Sequence, residues 1–429
     1  MNDRRRTLIA WLAALALACG GDDGGTEAST VDASTATDTE SSSDGSESES
    51  ETDTDTGATT EPGKTDSVDI LFVVDNSETM GPAQGRLGFS AGVFIEALLA
   101  AGLDLRVGVT TTDMGNPRCM GVNPPPQLGR LEPSSCVQRI DEFTLDDIAD
   151  SNVGCLDICQ HNSYSLLPTA IDDAPGLTQR SWLESIDGVS NVDVPLSEAV
   201  ACMLPQGITG CGFESPLEAM HAALTRGDTP GDPNEGFVRD DADLLVIFFS
   251  DELDCSFDQS AAEVFIANQT FWAPGSTQAT SAVCWNAGVT CDGAAPGPYS
   301  SCHAENKDVS GASGVPDPAA VLRPMSRYRA LLDAIADEKA ALGHAVRVAG
   351  IVGVPPGYPG AAIGYQDSTL PEDQVSYGIG WGCVDAGVSG LPPVRVRELQ
   401  EDVGGPGLYS ICAVNYIDAM DQIASTLIE

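Results

Sequence analysis

Asp75, Ser77 and Thr79 occupy alternate positions in the run Asp75-Asn76-Ser77-Glu78-Thr79-Met80. Hard divalent cations take oxygen ligands, and short Asp, Ser and Thr side chains spaced by two can set several oxygens on one tight loop. The same residues can also cap a following helix, so the spacing alone leaves both readings open. A second acidic residue, Asp251, closes another strongly apolar run in Phe248-Phe249-Ser250-Asp251. Asp75 and Asp251 thus each follow a stretch that reads as a buried strand. That shared placement favours a cation site over a cap.

The elements that must position these residues are readable from hydrophobic pattern. Residues 68–74 (VDILFVV) are almost continuously β-branched and apolar, the pattern of a strand covered on both faces. The pattern further predicts a helix over 84–100, a strand over 103–110 ending at Thr111-Thr112-Asp113, and a buried strand over Asp243–Phe249. A long helix is expected over 321–342, a strand over 345–352, and a C-terminal helix over 415–428. Apolar strands alternating with helices predict an α/β class, doubly wound about a mostly parallel central sheet flanked by helices. In such sheets ligands sit beyond the carboxyl ends of the strands, where Asp75 and Asp251 fall.

The Asp75-x-Ser77-x-Thr79 run after an apolar strand resembles the Asp-x-Ser-x-Ser/Thr motif of von Willebrand factor type A domains. Asp251 resembles the aspartate that those domains carry after a later core strand. The resemblance implies a Rossmann-like three-layer sandwich with a metal-ion-dependent adhesion site at the top of the sheet. It implies Asp75, Ser77, Thr79 and Asp251 as ligands of Mg²⁺, Ca²⁺ or Mn²⁺. The family's second loop usually supplies a threonine, whereas this chain has Gly212-Phe213-Glu214-Ser215-Pro216 there. Pro216 suits the first helical position and Ser215 its cap. Glu214 or Ser215 then stands nearest the usual threonine, with Thr209 more remote. Glu214 is taken as the ligand, and its added charge tilts the site towards Ca²⁺. Ser215, Asp113 and Glu252 are assigned to the rim that meets a ligand.

Charge sets the outer bounds. The chain has 64 acidic and 20 basic residues, a formal net charge of -44. Phosphate contacts need clustered Lys and Arg, so no nucleic acid is expected as partner. Arg4, Arg5 and Arg6 precede twelve apolar residues that end at Cys19, too short a run to span a bilayer. This start resembles a bacterial lipoprotein signal over 1–18, with Cys19 lipidated as the membrane anchor. Residues 19–66 then read as a disordered acidic Ser/Thr/Gly-rich linker, and 67–429 as one domain with insertions near 114–195 and 268–317. The expected location is the cell envelope, lipid-anchored, at the outer membrane or cell surface.

Of thirteen cysteines, removing Cys19 leaves an even set in an exported chain, so disulfides are expected, with connectivity open. Zinc held by Cys155, Cys159 and His161, or by Cys302 and His303, lacks the paired second half of a zinc signature. No His-Glu-x-x-His or phosphate loop is present, and no catalytic residue stands out. The expected function is therefore capture of a protein or cell-surface ligand through the metal, without catalysis. A hydrolase built in the insertion around residues 284–302, and a metal-free structural envelope protein, are the alternatives.

Overall fold

Ser67–Val74 forms strand β1, and all eight of its residues are buried. Its apolar run leaves no polar face for water, so both sides must be covered. The computed structural model describes residues 66–428 except 122–123, 146–148, 160–163 and 172–173. Cys19, the linker and His161 lie outside the described residues.

Helix α1 (Gly81–Ala100) follows β1 and leads to β2 (Asp104–Thr111). The chain then makes β3 (Leu183–Ile186), β4 (Val189–Ser190), α2 (Leu196–Met203) and α3 (Pro216–Gly227). Next come β5 (Asp243–Phe249), α4 (Met325–Ala340) and β6 (Val346–Val352). Helix α5 (Val394–Val403), β7 (Gly407–Ser410) and α6 (Ile417–Ile428) complete the domain. The central sheet has the order β7-β6-β5-β1-β2-β3-β4. Strands β7 to β2 pair in parallel, while β3 and β4 add an antiparallel edge.

Side chains alternate across β1, and the two sets enter different cores. Ile70 and Phe72 pack with Leu87 and Phe94 of α1 and Met420 of α6. Leu71 and Val73 pack on the other face with Met220 of α3, Tyr328 of α4 and Leu399 of α5. The result is the expected α/β arrangement, a mostly parallel sheet with helices on both faces.

Two expectations require correction. The helix expected from residue 321 starts at Met325, because Pro324 restricts the residue before it away from helical backbone. The segment 114–195 is not wholly an insertion, since it supplies edge strands β3 and β4. The 268–317 segment carries the short helix Ala282–Gly288 and a hairpin of Val289–Asp292 with Ser301–Ala304, and a third apolar cluster includes Phe265, Trp285 and Leu322.

The twelve described cysteines form six disulfides. Cys119–Cys211 joins the loop after β2 to the loop before α3, and Cys255–Cys284 joins the loop after β5 to helix Ala282–Gly288. Cys383–Cys412 ties a hairpin to the segment after β7. Cys155, Cys159 and Cys302 all lie in bridges, so none is a free thiolate for zinc.

Candidate functional site

The parallel strands end side by side, and backbone hydrogen bonds continue the ladder into their loops. The Asp75 amide donates to Phe249 carbonyl at 2.8 Å, and Thr112 to Val74 at 3.1 Å. Asp75 is fully buried. Its Oδ1 accepts the Ser77 amide at 2.8 Å and its Oδ2 the Ser250 hydroxyl at 2.6 Å. Ser77 and Thr79 bring their hydroxyls to 3.4 Å of each other. Gln84, in the first turn of α1, fixes this loop from beneath. Its Nε2 donates to the carbonyls of Asp75 and Gly207, and its Oε1 accepts the Gln206 amide.

The segment before α3 comes up against the same loop. Gly210 donates its amide to the Asn76 carbonyl at 2.8 Å, and a Cβ at Gly210 would fall 2.2 Å from Asn76 Oδ1. Any larger residue there would have to push the Asn76 side chain aside. Glu214 follows, buried, with Oε2 accepting the Thr112 hydroxyl and Oε1 without a partner. The expected helix start at Pro216 is present, but Ser215 makes no side-chain cap. Asp254 Oδ1 accepts the Leu217 amide and Ser256 Oγ the Glu218 amide instead, so the loop after β5 caps α3. Ser215 and Asp113 are buried, 3% exposed each, and do not form an open rim. Asp113 accepts the amides of Gly115 and Cys211, holding the two bridged loops together. Thr209 is buried with an unpartnered hydroxyl.

After β5, Ser250 points back to Asp75, while Asp251 leaves Oδ1 unpartnered. Thr79 lies near enough to Asp251 to offset part of the rise in its pKa. Glu252 is half-buried. Burial first, and then neighbouring negative charge, drives these acids upward together. Burial and the charges of Asp75, Asp113 and Glu252 hold Glu214 well above the usual carboxylate range. Burial and Asp75 do the same to Asp251, and burial with Asp251 and Asp75 to Glu252. Burial also raises Asp75, offset in part by its bonds from Ser250 and Ser77. The charges that raise Glu214, Asp251 and Glu252 come from one another, from Asp75 and from Asp113.

The structure thus brings Asp75, Ser77, Thr79, Glu214, Asp251 and Glu252 to one end of the sheet. Among the described residues no group of three or more His, Cys, Asp or Glu side chains stands ready to hold a metal ion. The oxygens gathered here are a mixture of carboxylate and hydroxyl. Two buried carboxylate oxygens, Glu214 Oε1 and Asp251 Oδ1, have no hydrogen-bond partner, an arrangement that is costly unless a proton, a water or a hard cation meets them.

Thr112, Ser250 and Gln84, which hydrogen-bond the acids and loop of this site, are residues that sequence reasoning did not single out. Thr112 and Ser250 stood beside singled-out acids, and a hydroxyl next to a strand-end aspartate was the available signal. Replacing Thr112 with Val is expected to destabilise the protein by about 1–3 kcal/mol, the cost of stripping the donor from a buried acceptor. Urea unfolding measures this, and an unchanged midpoint would show that the Thr112–Glu214 bond is not formed.

Gly88-Phe89-Ser90-Ala91-Gly92 has the spacing of a hydrolase nucleophile elbow. Ser90 lies within α1, fully buried, where its hydroxyl accepts the Tyr416 amide, so it is no elbow. The described histidines stand elsewhere: His221 beside Arg327, His303 on the outer hairpin, and His344 in a cavity with Ser67 and Asp104 at the strands' amino ends.

No protein-family model matches the chain, and no curated protein matches it. Among solved structures, the pilus adhesin SpaC from Lactobacillus rhamnosus GG aligns at 11% identity and a TM-score of 0.32. The alignment covers 85% of this chain and 32% of the adhesin, so the chain spans about a third of that protein's length. No described helix is long and apolar enough to cross a membrane.

Proposed function

We propose that the chain is an exported lipoprotein, anchored through Cys19, with a von Willebrand factor A-type domain that binds a protein or cell-surface ligand through a divalent cation. The carrying observation is the crowding of Asp75, Glu214, Asp251 and Glu252 at one end of the sheet, with two oxygens unpartnered and the carboxylates acting on one another. Ser77 and Thr79 would contribute hydroxyl oxygens, and Asp75, Glu214 and Asp251 carboxylate oxygens, directly or through water. The cation supplies an open coordination position for an anionic oxygen of the partner. Glu214 in place of a hydroxyl favours Ca²⁺ over Mg²⁺ and Mn²⁺, because extra negative charge and flexible oxygen ligands suit the larger ion. The domain's role in this reading is capture rather than turnover. An apolar run ending at Cys19 supports the anchor and the envelope location.

Calorimetric titration of the EDTA-treated full chain with each cation tests the site. One equivalent of saturable binding, accompanied by a higher unfolding midpoint, is the expected result. Failure of all three cations to bind at millimolar concentration would overturn it. The anchor is tested separately, by fatty-acid labelling that a Cys19→Ser variant should lose.

A further inference from the structure

Helix α1 carries more apolar surface than its packing uses. Its inner side is buried, yet Phe89 is 54% exposed and Val93 38%. Beside them, Val153 and Leu156 of the short helix Val153–Leu156 are 62% and 53% exposed. A groove of about 310 Å³ runs between Arg86, Phe89, Val153 and Asn415. Another of about 230 Å³ runs between Phe89, Val93, Glu96 and Glu198. Phe89 and Ile158 line both, so the two grooves form one depression divided by the Phe89 ring.

The floor of this depression is set by close backbone packing. A Cβ at Gly88 would lie 2.6 Å from the Ala201 carbonyl, and one at Gly154 would lie 2.5 Å from the Gly81 carbonyl. Glycine at both positions lets α1, α2 and the short helix approach closely, which makes the grooves preformed. Contiguous apolar surface rimmed by polar groups marks an interaction site in soluble domains.

The rim specifies the occupant's charge. Glu96, Asp157 and Glu198 line the grooves, against one base, Arg86. Arg86 is already engaged, donating Nη1 to the Ala413 carbonyl at 2.7 Å and lying over the Tyr416 ring. A second copy of this chain would set the same acidic rim against itself, on a molecule of net charge -44. Two apolar depressions on either side of one ring suit the i and i+3 or i+4 anchors of a helix. We propose that the double groove around Phe89 docks a basic amphipathic helix of a partner protein.

The probe is a synthetic amphipathic helix built of Leu and Lys, with a Leu/Glu peptide of the same pattern as control. Binding to the full chain is followed by fluorescence anisotropy. The Leu/Lys peptide should bind, weaken with salt, and bind equally in EDTA, which separates this surface from the cation site. Phe89→Asp should weaken binding at least about tenfold, as removal of a central anchor does. Glu96→Lys with Asp157→Lys should also weaken it and flatten the salt dependence. Phe89 faces solvent, so its variant should keep the wild-type unfolding midpoint, and Val93→Ser repeats the test from the neighbouring groove. Equal binding by wild type and both groove variants would overturn the proposal, as generic attraction to an acidic protein. So would failure of the Leu/Lys peptide to bind, or a wild-type dimer in sedimentation that Phe89→Asp disperses.

Discussion

Asp75→Asn is expected to lower affinity for Ca²⁺ or Mg²⁺ by about 100-fold or more, while the fold survives. The amide keeps a carbonyl oxygen to accept the Ser77 backbone N–H, the bond that Oδ1 now makes. Its NH₂ would face Ser250, whose hydroxyl can rotate from donor to acceptor. The backbone bond from residue 75 to Phe249 is untouched. What disappears is the negative charge and one oxygen. Changes to groups that merely support a ligand already cost 10–100-fold in metal affinity, so loss of the ligand itself should sit at or beyond the upper end, about 100-fold. Calorimetry of the variant beside wild type measures the loss, with circular dichroism to confirm folding. Asp333→Asn, at an exposed acid on α4, should change nothing. An Asp75→Asn protein that binds with wild-type affinity would move the cation away from the β1 loop.

That the affected charge could be named from sequence reflects where sequence is informative. β1 and β5 are apolar at nearly every position because both faces are covered, and β5 spans Asp243–Phe249 as expected. Once those ends were located, Asp75 and Asp251 followed. The edge strands β3, β4 and β7 have four residues or fewer. Runs that short carry no periodicity, and they are strands only because a neighbour pairs with them. Helix α5 begins Val394-Arg395-Val396-Arg397, which alternates as a strand would, yet Pro392 and Pro393 precede it and its apolar residues pack beneath β6 and β7. The expected Ser215 cap failed for a related reason. Asp254 and Ser256 arrive from a loop remote in sequence and take the amides first. Disulfide partners were equally hidden, since Cys119 meets Cys211 across 92 residues and no spacing rule says which loops converge. Sequence displayed the acids of the site, while the hydroxyls that hold them depended on strand register.

Glu214→Gln is expected to raise the unfolding midpoint of the cation-free protein and to reduce the stabilisation that a cation provides. Glu214, Asp251 and Glu252 are all displaced upward, by burial first and then by negative neighbours. A carboxyl raised in the folded state holds its proton at a pH where the unfolded chain has lost it. Stability therefore falls as pH rises through that window. The penalty is absent below the ordinary carboxylate value of about 4 and complete above the raised folded values. The EDTA-treated protein should accordingly be more stable at pH 5 than at pH 7.5. A bound cation removes the penalty at the upper end and adds about 2.7 kcal/mol at a hundred times its dissociation constant. The general repulsion of an acidic chain acts in the same direction with pH, so wild type alone does not isolate the site. The glutamine variant does. It removes one negative charge from the cluster, and at pH 7.5 in EDTA it should gain on the order of 1–2 kcal/mol, read as a rise of a few degrees. With saturating Ca²⁺ the gain should vanish or reverse, because the variant has given up a ligand. Opposite signs in the two conditions separate a cation-binding carboxylate from a structural one. If Glu214 serves the fold alone, through its bond from Thr112, the variant should lose stability equally with and without the cation.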